Sequence, residues 1–262
     1  INNVDFVRSL EDKGFEVDVL KQLFEDSSKK VLVISCAGSG KTTALLYKLV
    51  HDILVGKIKK GSKVVVMTFL NTGVEDLKNR WISVCNEFLL DVSFIDTVQF
   101  CTIHSLIYNI LSKIGIKNKV LSDADSYNFI HKALNEVYKY SFTNEQIGDF
   151  LSFYSCMINN MRCFKDGFTD FNSYLKFIGF TEYDFNSVVR GSDFFESTAK
   201  LERVLNLYYS YKKSNGYIDF DDMLMYMFYG LNINKNLRKF VASYSDFYFV
   251  DEFQDTSLLQ YD

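Results

Sequence analysis

The chain has 262 residues, 48% hydrophobic and 24% charged, with a formal net charge of −4; it is too apolar for a disordered protein and long enough for one or two cores. It has no proline, and 19 Asn and 23 Lys stand against six Ala and six Arg, a skew that follows AT-rich codons and leaves turns to Gly, Asn, Asp and Ser. The cysteines at 36, 85, 101, 156 and 163 are odd in number and lack a C-x-x-C pair, and no apolar run approaches the roughly 18 residues of a membrane span. These features argue against a disulfide framework, a zinc site or a membrane protein, and for a reducing cytoplasm with the cysteines as small buried hydrophobes. The first residue, Ile1 and not Met, suggests a trimmed chain without a signal peptide.

In chain order, the apolar run and its flanking turn residues predict a strand at Val31–Ser35, a glycine-rich turn, and a helix over Lys41–Leu54 with Leu45, Leu46, Leu49 and Ile53 on one face. Val64–Met67 is a continuous apolar strand, which implies a parallel sheet covered on both faces. It runs through Thr68 into a helix over about 71–90. A third strand is expected near Ser93–Phe100 and a helix over about 102–113. From Lys113 to Ser214 strand signals vanish, and helical periodicity runs through 127–140, 144–161, 174–180 and 199–213. An amphipathic helix over Ile218–Tyr229 precedes a last apolar strand, Phe247–Val250.

Charge is unevenly placed. Residues 41–80 carry eight Lys/Arg against three acids, and residues 241–262 carry five acids and no base. A basic segment suits a polyanion and an acidic one suits a metal ion.

Ser35-Cys36-Ala37-Gly38-Ser39-Gly40-Lys41-Thr42 fits a phosphate-binding loop except that Ser35 stands where a glycine is usual. Gly38 and Gly40 let backbone N–H groups turn inward around phosphate oxygens, and the following helix presents its positive end. Lys41 would reach the β- and γ-phosphates, and the Thr42 hydroxyl would ligate Mg2+. The alternative is a chance glycine turn between strand and helix. At the end of the last strand, Asp251 would hold Mg2+ and Glu252 would activate the attacking water; the alternative is a pair of acids capping a helix that starts near Thr256. Together the two elements point to a nucleoside triphosphate hydrolase.

Asp251-Glu252-Phe253-Gln254-Asp255-Thr256 resembles the second motif of superfamily 1 helicases of the UvrD/Rep/PcrA type. Four other stretches agree in order. They are Ala37–Thr42 as the phosphate loop, Thr68-Phe69-Leu70-Asn71 with Glu75, Leu77 and Arg80 as motif Ia, Thr102-Ile103-His104-Ser105 as motif Ib, and Ile218–Leu224 as the segment preceding motif II. Leu70-Asn71-Thr72-Gly73 departs from the Thr-Asn-Lys-Ala common in the family and loses one basic residue.

The resemblance implies an α/β fold: a RecA-like P-loop NTPase parallel sheet with flanking helices, over residues 1–111 and 215–262, interrupted by an all-helical insertion over 112–214. It implies ATP and Mg2+ as cofactors, held by Ala37, Gly38, Ser39, Gly40, Lys41, Thr42, Thr43 and Asp251, with Gln22 on the adenine edge. It further implies that Gln254 senses the γ-phosphate beside Lys41 and Glu252. Thr68, Phe69, Asn71, Thr102 and His104 would meet single-stranded DNA. An exposed Phe69 would make a sequence-tolerant stacking platform; a core aromatic is the alternative, as a core histidine is for His104 and an exposed helix residue for Gln22. The implied activity of the parent protein is ATP-dependent 3′-to-5′ translocation on single-stranded DNA, with single/double-strand junctions as substrates. The implied partner is a second RecA-like domain of the same protein beyond Asp262, without which this part is expected to be inactive. A motor coupled to a nuclease or to defence, and a nucleotide- or DNA-binding module without turnover, are the rival readings.

Overall fold

The structure is a computed structural model, and it describes residues 2–26, 28, 30–34, 36, 38–139, 141–159 and 198–261. It divides into two compact units, Ile1–Leu106 with Arg238–Thr256, and Ile107–Leu237 with Ser257–Asp262.

The first unit opens with helices α1 (Asn3–Asp12), α2 (Val17–Glu25) and α3 (Lys41–Leu54), followed by strand β1 (Val64–Thr68) and α4 (Asn71–Glu87). A one-turn helix, α5 (Val92–Ile95), precedes β2 (Val98–Thr102) and α6 (Ile103–Lys113). Beyond the second unit's elements the chain returns with β5 (Phe247–Val250). The three strands form a parallel sheet in the order β2-β1-β5, with Val64 opposite both Val98 and Phe247. The central position of β1 explains its composition: Val64, Val65 and Val66 are all buried because both sheet faces are covered. On α4, Leu77, Trp81 and Cys85 recur every four residues and are fully buried against Phe6, Leu49, Val50 and Phe88. Large side chains buried this completely stabilise by roughly 1.5–3 kcal/mol each.

The second unit contains β3 (Lys119–Val120), α7 (Asp123–Tyr138), α8 (Asn144–Asn159), α9 (Thr198–Asn215), β4 (Tyr217–Ile218) and α10 (Phe220–Ile233). Helix α11 (Lys235–Ala242) leads back to the first unit, and α12 (Leu258–Tyr261) is its last element. Ile130, Ala133 and Leu134 of α7, Ile147 and Phe150 of α8, and Val204 and Tyr208 of α9 form its buried apolar surface. Inside it, the Lys212 ammonium donates to Asp219 Oδ2 at 2.5 Å, lies 2.8 Å from Asp222 Oδ2, and sits 4.4 Å from the Tyr208 ring centroid. Asp219 and Asp222 form a capping box that starts α10.

Several expectations need correction. Val31–Ile34 forms no strand: its side chains are exposed and, among the described residues, no strand pairs with it. β-propensity alone does not make a strand, which exists only as half of a hydrogen-bonded ladder. Ser35, the last residue of that run, lies outside the described residues. The third strand starts later than expected, at Val98, because Asp91 accepts from Ser93 N–H and caps α5 first. The region read as purely helical contains β3, which pairs in parallel with β4 over two residues, too few for a periodicity to register. The helix expected to start at Ile218 starts at Phe220, after the Asp219 cap. Cys36 is exposed, whereas Cys85 and Cys101 are buried. Burial pushes their thiols up, to about 12 and about 11. The helix expected over 174–180, Met161 and Cys163 lie outside the described residues.

Candidate functional site

The phosphate loop is built by backbone that only glycine adopts easily. Gly38 and Gly40 have φ of +75° and +83°, and a Cβ at either would meet nothing within 4 Å, so conformation and not space requires glycine there. Gly40 is the residue before α3 and has no side chain with which to cap its first turn, so the positive end of the helix faces the loop. Three donors converge on the Cys36 carbonyl: Ser39 N–H at 3.3 Å, Ser39 Oγ at 2.7 Å and Lys41 Nζ at 3.0 Å. Cys36 thus closes the loop through its backbone, a role invisible in its side chain. Ala37 lies outside the described residues; Thr43 follows Thr42 on the half-buried first turn of α3.

The loop meets the acidic motif at the carboxyl ends of the strands, where open α/β sheets bind ligands. Asp251 follows β5 directly and is anchored by its N–H to Met67 O at 2.8 Å. Its buried carboxylate accepts the Thr42 hydroxyl at 2.9 Å. Two oxygen donors in contact beside a phosphate loop are the donor set of a hard divalent cation, and the residues present therefore fit Mg2+. Glu252 stands in the left-handed region at φ +52°, which turns its exposed side chain away from the line of the strand. Gln254, on the following 3-10 turn Phe253–Asp255, donates its amide to the Glu252 carboxylate. A helix does start near Thr256, α12 at Leu258, but the side chain that accepts from its backbone is Ser257, from Gln260 N–H at 3.2 Å, whereas Asp251 accepts from Thr42 and Glu252 from Gln254.

Thr68 and Thr102 end β1 and β2 opposite one another, and both are buried. Thr102 Oγ1 accepts from Ser105 N–H at 3.2 Å and so serves α6 as well. A Cβ on Gly73 would come within 3.1 Å of Thr68 Oγ1, so this departure from the family pattern lets α4 approach β1 closely. Phe69 is 41% exposed and is therefore not a core aromatic. Asn71, the first residue of α4, is exposed beside it. His104 is half-buried, and burial holds its imidazole below the ordinary histidine range. Gln22 is an exposed residue of α2.

Sequence reasoning missed a charged cluster behind the loop. Lys48, His51 and Asp52 of α3 are all buried, and Lys48 Nζ donates to Asp52 Oδ1 at 2.6 Å and to Phe24 O at 3.3 Å. His51 stacks on the Phe24 ring at 4.8 Å and reaches Asp52 Oδ1 at 3.4 Å. Burial lowers the Lys48 ammonium. Burial works to raise the Asp52 carboxyl, but hydrogen bonds from His51 and Lys48 outweigh it and hold Asp52 below the usual carboxylate value. The available signal was the Lys–Asp pair at i and i+4 on a helix whose remaining face is apolar.

Comparison with known proteins places the chain in a family. The chain is 25% identical over 253 residues to the ATP-dependent DNA helicase Rep of Buchnera aphidicola, covering 91% of this chain and 33% of that protein. It is 25% identical over 245 residues to a probable DNA helicase II homolog of Mycoplasma capricolum, covering 89% and 30%. A match over 146 residues to an ATP-dependent helicase/nuclease subunit of Lactobacillus acidophilus, 25% identical, covers 49% and 12%. The chain thus spans about a third or less of the length of these curated relatives. The model of the UvrD/REP helicase N-terminal domain matches residues 19–262, and the chain belongs to that family.

Proposed function

We propose that this chain is the ATP-binding part of an ATP-dependent motor that translocates 3′ to 5′ along single-stranded DNA and opens single/double-strand junctions. The observation that carries the reading is the contact between Thr42 and Asp251, which joins the phosphate loop to the Asp-Glu-Phe-Gln-Asp-Thr motif at one end of the sheet. In this reading residues 1–111 and 215–262 form a RecA-like domain and 112–214 an insertion.

Each residue then has a defined task. Gly38, Ser39, Gly40 and the first turn of α3, with Thr43, hold the phosphates of ATP, Lys41 neutralises the β- and γ-oxygens, and Gln22 contacts the adenine edge. Thr42 and Asp251 would hold Mg2+, which when bound would offset the negative charge of the phosphates. Glu252 accepts the proton of the attacking water. Gln254, bonded to Glu252, responds to the terminal phosphate and passes that state toward Phe69 and Asn71. Phe69 stacks a base, while Thr68, Thr102, Asn71 and His104 line the strand's path. A second RecA-like domain supplies the other wall of the ATP cleft, so this chain alone is expected to bind Mg-ATP weakly and to turn it over negligibly.

The test is ATP hydrolysis by the whole protein with and without single-stranded DNA, together with unwinding of 3′-tailed and 5′-tailed duplexes. Strong DNA stimulation and preference for the 3′ tail are expected. No stimulation, or robust DNA-stimulated turnover by the 262-residue chain alone, overturns the reading. The match to the helicase/nuclease protein favours one second reading, a motor that serves a nuclease; DNA cleavage by the whole protein distinguishes it.

A further inference from the structure

The buried charges of α3 lie against the end of α2, the helix that carries Gln22. A helix C-terminus presents carbonyls without intrahelical partners and a partial negative charge, which cations relieve. α2 has no basic residue in its last turn, and its end is instead acidic, at Glu25 and Asp26. The missing cations come from outside the helix. Lys48 Nζ donates to Phe24 O at 3.3 Å, and Lys57 Nζ donates to Asp26 O at 3.2 Å. Asp52 holds both: its Oδ1 lies 2.6 Å from Lys48 Nζ and 3.8 Å from Lys57 Nζ. Only 4% of Asp52 and 7% of Lys48 are exposed, so burial shields the Lys48–Asp52 bond from the solvent screening that weakens surface pairs. Phe24 completes the joint, with its ring stacked on His51 of α3 and its side chain buried.

The joint bears on nucleotide binding because α3 is also the helix of the phosphate loop. Lys41 and Thr42 occupy its first turn and Lys48 and Asp52 lie further along the same rigid rod. Gln22 sits two residues before Phe24, whose carbonyl Lys48 grips. The distance from phosphate-holding groups to the base-facing glutamine is therefore set through α3, Lys48 and the end of α2. We infer that Lys48 and Asp52 are positioning residues for nucleotide-base selectivity: they hold Gln22 in register with the phosphate loop so that an adenine nucleotide is preferred over a guanine nucleotide.

The inference rests on the assignment of Gln22 to the adenine edge, and the experiment separates the two. Calorimetric affinities of the full-length protein for Mg-ATP and Mg-GTP are compared across Gln22→Ala, Lys48→Met, Lys48→Arg and Lys57→Met. The expected result is a fall in the ATP:GTP affinity ratio of about two- to tenfold for Gln22→Ala and for Lys48→Met, the size of one hydrogen bond's net contribution. The Gln22→Ala/Lys48→Met double variant falls no further, because both changes remove the same interaction. Lys48→Arg keeps the ratio, since a guanidinium can still reach Asp52 and the Phe24 carbonyl. GTP affinity itself stays unchanged in Lys48→Met, which a general loss of structure would not allow. A reduced ratio in Gln22→Ala with a wild-type ratio in Lys48→Met overturns the positioning role while leaving the role of Gln22 intact. A wild-type ratio in Gln22→Ala overturns the base contact and the inference with it. If Lys48→Met does not fold, the exposed substitution Lys57→Met decides: a lowered ratio supports the joint and an unchanged one overturns it.

Discussion

Thr42 and Asp251 lie 209 residues apart in the chain, yet the threonine hydroxyl donates to the aspartate carboxylate at 2.9 Å. The contact exists because α3 starts where the phosphate loop ends and because β5 pairs with β1 in parallel, which brings its carboxyl end to the same edge of the sheet. Asp251 N–H bonded to Met67 O fixes the height of the carboxylate along that edge.

This pair yields a metal prediction. Thr42→Val removes one oxygen donor and leaves the buried Asp251 without its hydroxyl partner. The Mg2+ concentration giving half-maximal ATP hydrolysis by the whole protein is expected to rise, while nucleotide binding without metal changes little. A magnesium titration of hydrolysis that superimposes on wild type would remove Thr42 from the metal site.

Glu252→Gln should retain ATP binding and lose turnover, because an amide cannot accept the proton of the attacking water. General-base removal is expected to cost roughly 10²–10⁴-fold in rate. Single-turnover hydrolysis measured beside equilibrium binding checks it, and retained hydrolysis would mean that another residue is the base. Lys41→Ala should instead lose turnover because the charge facing the phosphates is gone.

Phe69 supplies a prediction on the DNA side. Its exposure leaves a ring face free to stack, so Phe69→Ala should weaken single-strand binding by roughly 1–3 kcal/mol with little change in thermal stability. Fluorescence anisotropy with a labelled oligonucleotide and a melting curve of the same variant give both numbers. Unchanged affinity would contradict the stacking role.

In the second unit Asp222 gives a pH dependence. Burial first, and then the neighbouring Asp219, raise its carboxyl to about 6 despite the opposing pull of Lys212. The unfolded value is the ordinary 3.8, so between about pH 4 and pH 6 the folded state binds more protons than the unfolded state. This group's contribution to stability is therefore present at low pH and is lost as pH rises through about 6. Asp222→Asn should flatten that slope, read as the difference in urea midpoint between the two proteins from pH 4 to pH 7. An identical difference at every pH would show that Asp222 does not titrate in this range.

Much of the site was legible in the sequence because its demands are local. Only glycine takes the positive φ of positions 38 and 40 at little cost, a run of three valines marks a strand covered on both faces, and an acid pair directly follows an apolar strand. Strand β5 was expected at Phe247–Val250 and lies there, and the helix expected over 41–54 is α3. Other features depend on partners far away in the chain. Val31–Ile34 has the composition of a strand but, among the described residues, no pairing partner, and a strand exists only as half of a hydrogen-bonded ladder. Lys48 and Asp52 read as ordinary helix charges until the end of α2 covers them, and the carbonyl of Cys36 has no signature at all in a side-chain alphabet. Chain-local conformational preference and motif chemistry thus determined the phosphate loop, the acidic motif and the order of the main elements. Strand pairing, burial and the meeting of Thr42 with Asp251 were decided by tertiary structure, since each depends on which distant group excludes water or accepts the proton of a hydrogen bond.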